Sequence, residues 1–483
     1  MQLSEIIAKL RDVKVESFIE RDIFLVTEDS RCACRDSIYV AIKGSKYNGA
    51  DFINDARARG AKVFVCEGNY FVSNGETLII SKNARKTLAE ISKIIFGDYV
   101  ERMQIIGITG TKGKTTTAKI LSECIASSGE KLVSVGTLGI EFYGVNVKAD
   151  TSKNTTPSAP ILYKTLDRAY KMGIRIAVIE VSSQALAEYR VFGIPFTVCI
   201  FTNISEDHVG VYEHRSFEEY LDAKRMLFSL YKPKCAIVNA LDPLWEKITE
   251  GCNRVIKVGG NGADCPYRLL SDDDTRVDFS VDGESFSLSF GGGYNGLNAA
   301  LAIITASAVT ERSIAYFKDT VSKIKVSGRY EAYLLNGIKI IIDFAHNKKS
   351  FSAICENARK NSQGKLIVLF GSVGERSQSR RGELAAVAEK YADLSVITSD
   401  NPGRESAERI ALEIYSHYSD KSKAKIITDR ERAVYYSLSV AKSGDSILLL
   451  GKGQESYQLV GNEKIPFSER EIIKKLGAKA LTT

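Results

Sequence analysis

The stretch Gly107-Ile108-Thr109-Gly110-Thr111-Lys112-Gly113-Lys114-Thr115-Thr116-Thr117 decides the fold. Gln104-Ile105-Ile106 before it reads as the end of a buried strand, and Ala118-Lys119-Ile120-Leu121 after it as the start of a helix. A glycine-rich turn between strand and helix aims backbone N–H groups and the positive end of the helix dipole at one point, which suits a phosphate. From such a turn Lys114 reaches terminal phosphates and Thr115 holds a magnesium ion. The usual spacing wants a glycine five residues before Gly113, where this chain has Ile108. The turn glycines here are Gly107, Gly110 and Gly113, and Gly-Lys-Thr after a strand carries the reading.

At about 150 residues per domain, 483 residues give about three domains. Hydrophobic content of 44% with 26% charged residues is that of a globular chain rather than a disordered one. A net charge of +7 permits an anionic substrate, and no Lys/Arg block is dense enough to read as a nucleic-acid tail. No uncharged apolar run approaches the roughly 20 residues of a membrane span, and Met1-Gln2-Leu3-Ser4-Glu5 does not open a signal peptide. The nine cysteines are scattered and complete no metal set, so free thiols in a reducing cytoplasm are expected.

Three units follow from the pattern. Residues 1–98 hold short apolar strands (Ser37-Ile38-Tyr39-Val40-Ala41, Lys62-Val63-Phe64-Val65, Leu78-Ile79-Ile80) and a helix over 84–96. Residues 99–330 alternate strand and helix, which implies a parallel sheet covered on both faces. Residues 331–483 repeat that alternation with strands at 339–343, 366–370, 394–398 and 446–450. The expected fold class is therefore α/β, and the ligand edges lie at the C-terminal ends of the strands.

Polar clusters follow those strands. Glu180 ends one and opens Glu180-Val181-Ser182-Ser183-Gln184; a carboxylate there is placed to coordinate magnesium directly or through water. Thr202-Asn203-Ile204-Ser205-Glu206-Asp207-His208 follows the next strand, and its His208 is a metal or phosphate candidate. Asp343-Phe344-Ala345-His346, Gly371 to Arg376, Ser399-Asp400-Asn401-Pro402-Gly403-Arg404 and Gly451-Lys452-Gly453-Gln454-Glu455 follow the four strands of the third unit. By helical periodicity alone Lys224 is a solvated lysine. Arginines at these edges suit carboxylates, because the guanidinium fork binds them bidentately. The residues point to a multidomain ATP-using enzyme with an anionic second substrate.

Taken in order, these motifs resemble the Mur ligases, most closely the UDP-N-acetylmuramoyl-tripeptide synthetase (MurE) type. Asp29-Ser30-Arg31, residues 109–116, Asn154-Thr155-Thr156-Pro157, residues 180–183, Asp207-His208, Lys224, residues 295–298, Gly328-Arg329, residues 343–346, Asp400-Asn401-Pro402 and Gly451-Lys452-Gly453 carry the likeness over nearly the whole chain. The resemblance implies a three-domain architecture: a UDP-binding unit, a central P-loop ATPase unit and a Rossmann-like unit for the amino acid. It implies an acid–amino-acid ligase that joins an amino acid to UDP-MurNAc-L-alanyl-D-glutamate through an acyl phosphate, acting as a cytoplasmic monomer.

The resemblance also implies roles. Gly110, Thr111, Lys112, Gly113, Lys114, Thr115 and Thr116 meet the ATP phosphates, and Asn295, Arg329, Asp343 and His346 the rest of the nucleotide. Thr115, Glu180, His208 and Lys224 serve magnesium, Lys224 as a carbamate made with CO2. Ser30 and Arg31 meet the uridine diphosphate. Thr155, Thr156, Ser182 and Arg190 meet the muramoyl-dipeptide, and Arg376, Asp400, Asn401, Gly451 and Glu455 the acceptor. Lys112 stands where many relatives carry Asn, and Ala50 where many have His.

The acceptor stays open between two diamino acids. Diaminopimelate-adding relatives usually read Asp-Asn-Pro-Arg, whereas this chain has Gly403 at the Arg position and Arg404 one residue later. Gln184, Asp207-His208-Val209-Gly210, Phe344-Ala345-His346-Asn347 and Arg380-Arg381 look like lysine-adding enzymes, while Glu455 matches a diaminopimelate-type position. The expectation leans to L-lysine. The rival readings are another ligase of the superfamily, such as a folylpolyglutamate synthetase, and a non-catalytic ATP-binding relative.

Overall fold

The structure is a computed structural model that describes residues 1–44, 47–144, 154–205, 214–375 and 378–481. Among these residues the strands form three large sheets and one hairpin. The first sheet runs, edge to edge, Val13–Ser17, Thr77–Ser81, Val63–Cys66, Ser37–Val40, Leu25–Thr27, parallel except at its Val13–Ser17 edge. The helix Ala84–Phe96 covers it; Asn83 caps its N-terminus by accepting from Lys86 N, and Gly97 ends it. Its apolar face packs Leu88 and Ile91 on the strands.

The central sheet has ten strands. Seven run parallel in the order Cys265–Asp272, Val255–Gly259, Cys235–Asn239, Phe196–Phe201, Gln104–Thr109, Ile176–Glu180, Leu132–Gly136. Antiparallel strands widen both edges: Gly139–Tyr143 on one, Val277–Val281 and Glu284–Leu288 on the other. The strand Gln104–Thr109 sits between Ile176–Glu180 and Phe196–Phe201, and all three are buried runs of the kind a covered parallel sheet requires. Gly107 is required there, because a Cβ would lie 2.8 Å from the Phe196 ring. The helices Lys114–Ser127 and Tyr294–Thr310 pack on one face. The second is apolar nearly all round and buried from Ala299 to Ile303, as a helix enclosed by sheet and neighbour must be.

The third sheet reads Ala424–Ile426, Leu394–Ile397, Leu366–Phe370, Ser446–Leu450, Ile338–Asp343, Glu331–Leu335, Lys479–Ala480; the first five are parallel. A two-stranded hairpin, Tyr457–Val460 with Glu463–Pro466, lies beyond it. No helix of the described residues is long and apolar enough to cross a membrane.

Candidate active site

Register builds the centre. Ile108 pairs with Glu180 and Thr109 with Phe201, so the phosphate turn leaves its strand with a carboxylate on one side and Thr202-Asn203 on the other. This is the crevice beyond the carboxyl ends of parallel strands where such folds bind ligands. The turn is fastened from the Asn203 side: Thr111 N donates to Asn203 O at 2.8 Å, Lys112 N to Asn203 Oδ1 at 3.0 Å, and Thr202 Oγ1 to Lys112 O at 2.6 Å. Gly110 has φ +150 and its missing Cβ is where Thr202 Oγ1 lies; Gly113 has φ +86 and holds the left-handed turn that opens the helix Lys114–Ser127. The helix therefore starts without a side-chain cap, which leaves its first N–H groups to a ligand.

Lys114 Nζ donates to Gly110 O at 2.7 Å and to Thr111 O at 3.2 Å, which hangs the ammonium over the mouth of the turn. Thr115 Oγ1 donates to Glu180 Oε2 at 2.9 Å. Glu180 is 2% exposed, and burial pushes its carboxyl above the usual range while Thr137 N, Lys114, Thr115 and Arg329 pull it back. Among the described residues no cluster of three or more His, Cys, Asp and Glu stands together. Of the four residues that the resemblance assigns to magnesium, His208 lies outside the described residues, Lys224 stands at the Gly110 carbonyl, and Thr115 and Glu180 form a hydrogen-bonded pair. A hydroxyl and a carboxylate are the hard oxygen donors that Mg2+ takes, with waters filling its other positions, so the pair fits that ion.

Lys224 is not the solvated lysine that periodicity indicates. It lies on the helix Phe217–Ser229, is 1% exposed, donates from Nζ to Gly110 O at 2.9 Å and stands over the Tyr220 ring at 4.6 Å. Tyr220 in turn shares a 2.8 Å hydrogen bond with Thr111 Oγ1, and Thr116 is buried in the first turn of the helix Lys114–Ser127.

The third unit closes on this centre. Lys112 Nζ is 3.2 Å from His346 Nε2, while His346 Nδ1 is 2.7 Å from Phe344 O. Asp343 accepts from Tyr330 N at 2.8 Å and Ala345 N at 2.7 Å; burial raises its carboxyl and Arg329 opposes this. Arg329 stacks over Phe344 at 5.0 Å, and its buried Nε has no hydrogen-bond partner among the described residues. An orphaned guanidinium N–H beside a phosphate turn fits an anionic nucleotide. Asn295 donates to Gly291 O at 2.9 Å and faces Asn298, whose amide fills the space beside Gly113.

Thr156, Ser182 and Arg190 gather behind Glu180. Thr156 Oγ1 donates to Glu180 O at 2.7 Å and accepts from Ser182 N at 3.1 Å, and Arg190 Nη1 donates to Thr156 O at 2.9 Å. Thr155 Oγ1 is 3.1 Å from Thr137 Oγ1. Thr137 went unread in the sequence, yet it holds both oxygens of Glu180: its N donates to Oε1 at 2.9 Å and its Oγ1 to Oε2 at 3.2 Å. A lone threonine in a turn carries no sequence signal for that task.

Asp400, Asn401, Gly451 and Glu455 form a second cluster. Lys452, 1% exposed, donates to Asn401 Oδ1 at 2.7 Å and Glu455 Oε2 at 2.8 Å, and Asn401 Nδ2 donates to Glu455 Oε2 at 2.9 Å. This cluster touches the first: Gly453 lies where a Cβ would meet Gly328 O and Phe344 Cβ within 2.8 Å. Gly403 has φ +60, a left-handed backbone that explains glycine there. Arg404 is exposed and reaches Asn462 Oδ1 at 3.3 Å, toward the outer hairpin rather than the cluster. Arg376 lies outside the described residues. Ser30 and Arg31 stand apart in the first unit, Ser30 buried and Arg31 forked on Asp29 through Nε at 2.8 Å and Nη2 at 2.7 Å.

Comparison with known proteins matches the sequence to one family along the chain. The profile "Mur ligase family, catalytic domain" matches residues 22–105, "Mur ligase middle domain" 108–306, and "Mur ligase, glutamate ligase domain" 328–453. A UDP-N-acetylmuramoyl-L-alanyl-D-glutamate–2,6-diaminopimelate ligase of Aquifex aeolicus is 34% identical over 468 residues, covering 95% of each chain. One of the same name from Caldanaerobacter subterraneus subsp. tengcongensis is 32% identical over 470 residues, again 95% of each. A solved structure of a ligase of that name superposes with a TM-score of 0.64 at 24% identity, over 94% of each chain, which speaks for the fold. The three-part match and the 34% identity over 95% of the chain place this protein in the Mur ligase family, whose members are ATP-dependent ligases that form peptide bonds.

Proposed function

We propose that this chain adds 2,6-diaminopimelate to UDP-MurNAc-L-Ala-D-Glu, making a tripeptide precursor of peptidoglycan. The single observation that carries the reading is the join between the two clusters: the phosphate turn with Thr115, Glu180 and Lys224 meets the Asp400, Asn401 and Glu455 cluster through Gly328, Arg329 and Phe344. We further take the units as residues 1–98, 99–330 and 331–483.

The chemistry follows from the charges. The D-glutamate side-chain carboxylate is a poor electrophile. Its oxygen attacks the γ-phosphorus of ATP, the bond from γ-phosphorus to the β–γ bridging oxygen breaks, and ADP leaves. The acceptor's neutral amine then attacks the acyl phosphate carbon. A tetrahedral intermediate forms, phosphate leaves, and the ammonium proton passes to solvent. Lys114 and the N–H groups of the turn orient and neutralise the phosphates. Thr115, Glu180 and His208 would hold Mg2+, which supplies positive charge against the phosphoryl oxygens. Lys224, with its amine already at the turn, would join that set as a carbamate. Thr155, Thr156, Ser182 and Arg190 would hold the muramoyl-dipeptide, and Ser30 and Arg31 the uridine diphosphate.

The relatives named above favour diaminopimelate over the L-lysine to which the motifs lean. Glu455 serves the distal ammonium of either amino acid. With Gly403 at the family's Arg position and Arg404 turned outward, Arg376 is the cation assigned to the acceptor's carboxylate. A competition assay tests the choice. With equal meso-diaminopimelate and L-lysine, the product mass is expected to show a preference of about tenfold or more for diaminopimelate, the amino acid named for the relatives. A dominant lysine product would reverse the assignment.

A further inference from the structure

Two buried ions lie outside every motif read in the sequence. Arg430 opens the helix Arg430–Val440 and Glu469 opens the helix Glu469–Lys475; their side chains are 0% and 1% exposed. Arg430 Nε and Nη2 donate to Glu469 Oε1 at 2.9 and 2.7 Å. The same guanidinium also grips main chain: Nη2 donates to Leu450 O at 2.7 Å and Nη1 to Ser399 O at 3.0 Å.

The place of those carbonyls matters. Ser399 immediately precedes Asp400, and Leu450 immediately precedes Gly451. Their strands, Leu394–Ile397 and Ser446–Leu450, are not neighbours, because Leu366–Phe370 runs between them. One planar fork therefore spans the end of the intervening strand and ties together two loops that the sheet alone would leave independent. The loops meet closely: a Cβ on Gly451 would lie 2.7 Å from Asp400 Oδ2. On the cluster side, Asn401 and Glu455 are held by Lys452.

We propose that Arg430, held in place by Glu469, is a positioning residue for the acceptor amino acid: it sets the spacing between the Asp400-Asn401 loop and the 451–455 loop. The proposal rests on the assignment of those loops to the acceptor. Lysine cannot stand in for Arg430, because one compact ammonium cannot reach two carbonyls on separate loops and a carboxylate in fixed directions. Removing either partner outright leaves a buried charge unpaired, so alanine variants are unsuitable.

The test uses Arg430→Lys and Glu469→Asp, which keep both charges, and measures KM separately for diaminopimelate, ATP and UDP-MurNAc-L-Ala-D-Glu. Asp400, Asn401, Gly451 and Glu455 are the residues assigned to the acceptor, so a displaced loop acts first on the acceptor's position. The expected result is a rise of about tenfold or more in the acceptor KM, with the other two within about twofold. Equal changes in all three KM values, or an unchanged acceptor KM in both variants, would overturn it. So would failure of both variants to fold, because the pair would then serve stability. If the unaltered enzyme turns over neither diaminopimelate nor L-lysine, the reading of the loops fails and the proposal falls with it.

Discussion

Replacing Lys114 with alanine is expected to lower kcat by about three orders of magnitude or more. The Lys114 ammonium lies within 3.2 Å of the carbonyls of Gly110 and Thr111, at the mouth of a turn whose N–H groups face the same point. In phosphoryl transfer the protein does little covalent work, so rate comes from position and from charge placed against the phosphoryl oxygens. Alanine removes that charge and leaves the turn backbone intact. It is also the best helix former, at the first residue of the helix Lys114–Ser127, so folding is undisturbed. Steady-state phosphate release checks the rate, and a thermal melt within a few degrees of the unaltered protein checks the fold. A kcat within about tenfold of the unaltered enzyme would remove Lys114 from the phosphate site.

Replacing Lys224 with alanine is expected to cost about a hundredfold to a thousandfold in kcat, with no recovery in bicarbonate. Lys224 is fully buried between the Tyr220 ring and Gly110 O, beside the phosphate turn. On the proposed reading, carbamylation would convert that amine to an anion and invert the charge offered to magnesium and to the phosphates. Bicarbonate cannot rescue alanine, which has no amine to carbamylate. In 13C-labelled bicarbonate, the unaltered protein should show a bound carbamate resonance that the variant lacks. A variant turning over near the normal rate, or an unaltered protein without that resonance, would remove the carbamate.

Much of this was legible in the sequence, for physical reasons. The strands Ile176–Glu180, Leu366–Phe370 and Ser446–Leu450 lie where their unbroken apolar runs put them, because a strand covered on both faces has no polar positions to blur its ends. The helix Ala84–Phe96 likewise keeps the bounds set by Asn83 and Gly97. The strands of the 265–288 stretch were not read. Val277–Val281 alternates buried and half-buried residues, and Cys265–Asp272 is mostly exposed, so neither offers a continuous run. At the site, the glycine turn and Glu180 announced themselves by following strands. Lys224 was named by the family likeness and not by periodicity, since its burial comes from the turn folding against its helix, a contact 114 residues apart in sequence. Arg430 and Glu469, 39 residues apart and each in the first turn of a helix, were not read at all, since only the fold joins them.

The measurement that tests the account most directly is phosphate release by the purified protein with ATP, magnesium and UDP-MurNAc-L-Ala-D-Glu, with and without meso-diaminopimelate. Release is expected to need all four together and to match tripeptide formed, one phosphate for each peptide bond. Release from ATP without the dipeptide or the amino acid, or none with diaminopimelate present, would contradict the proposed reaction.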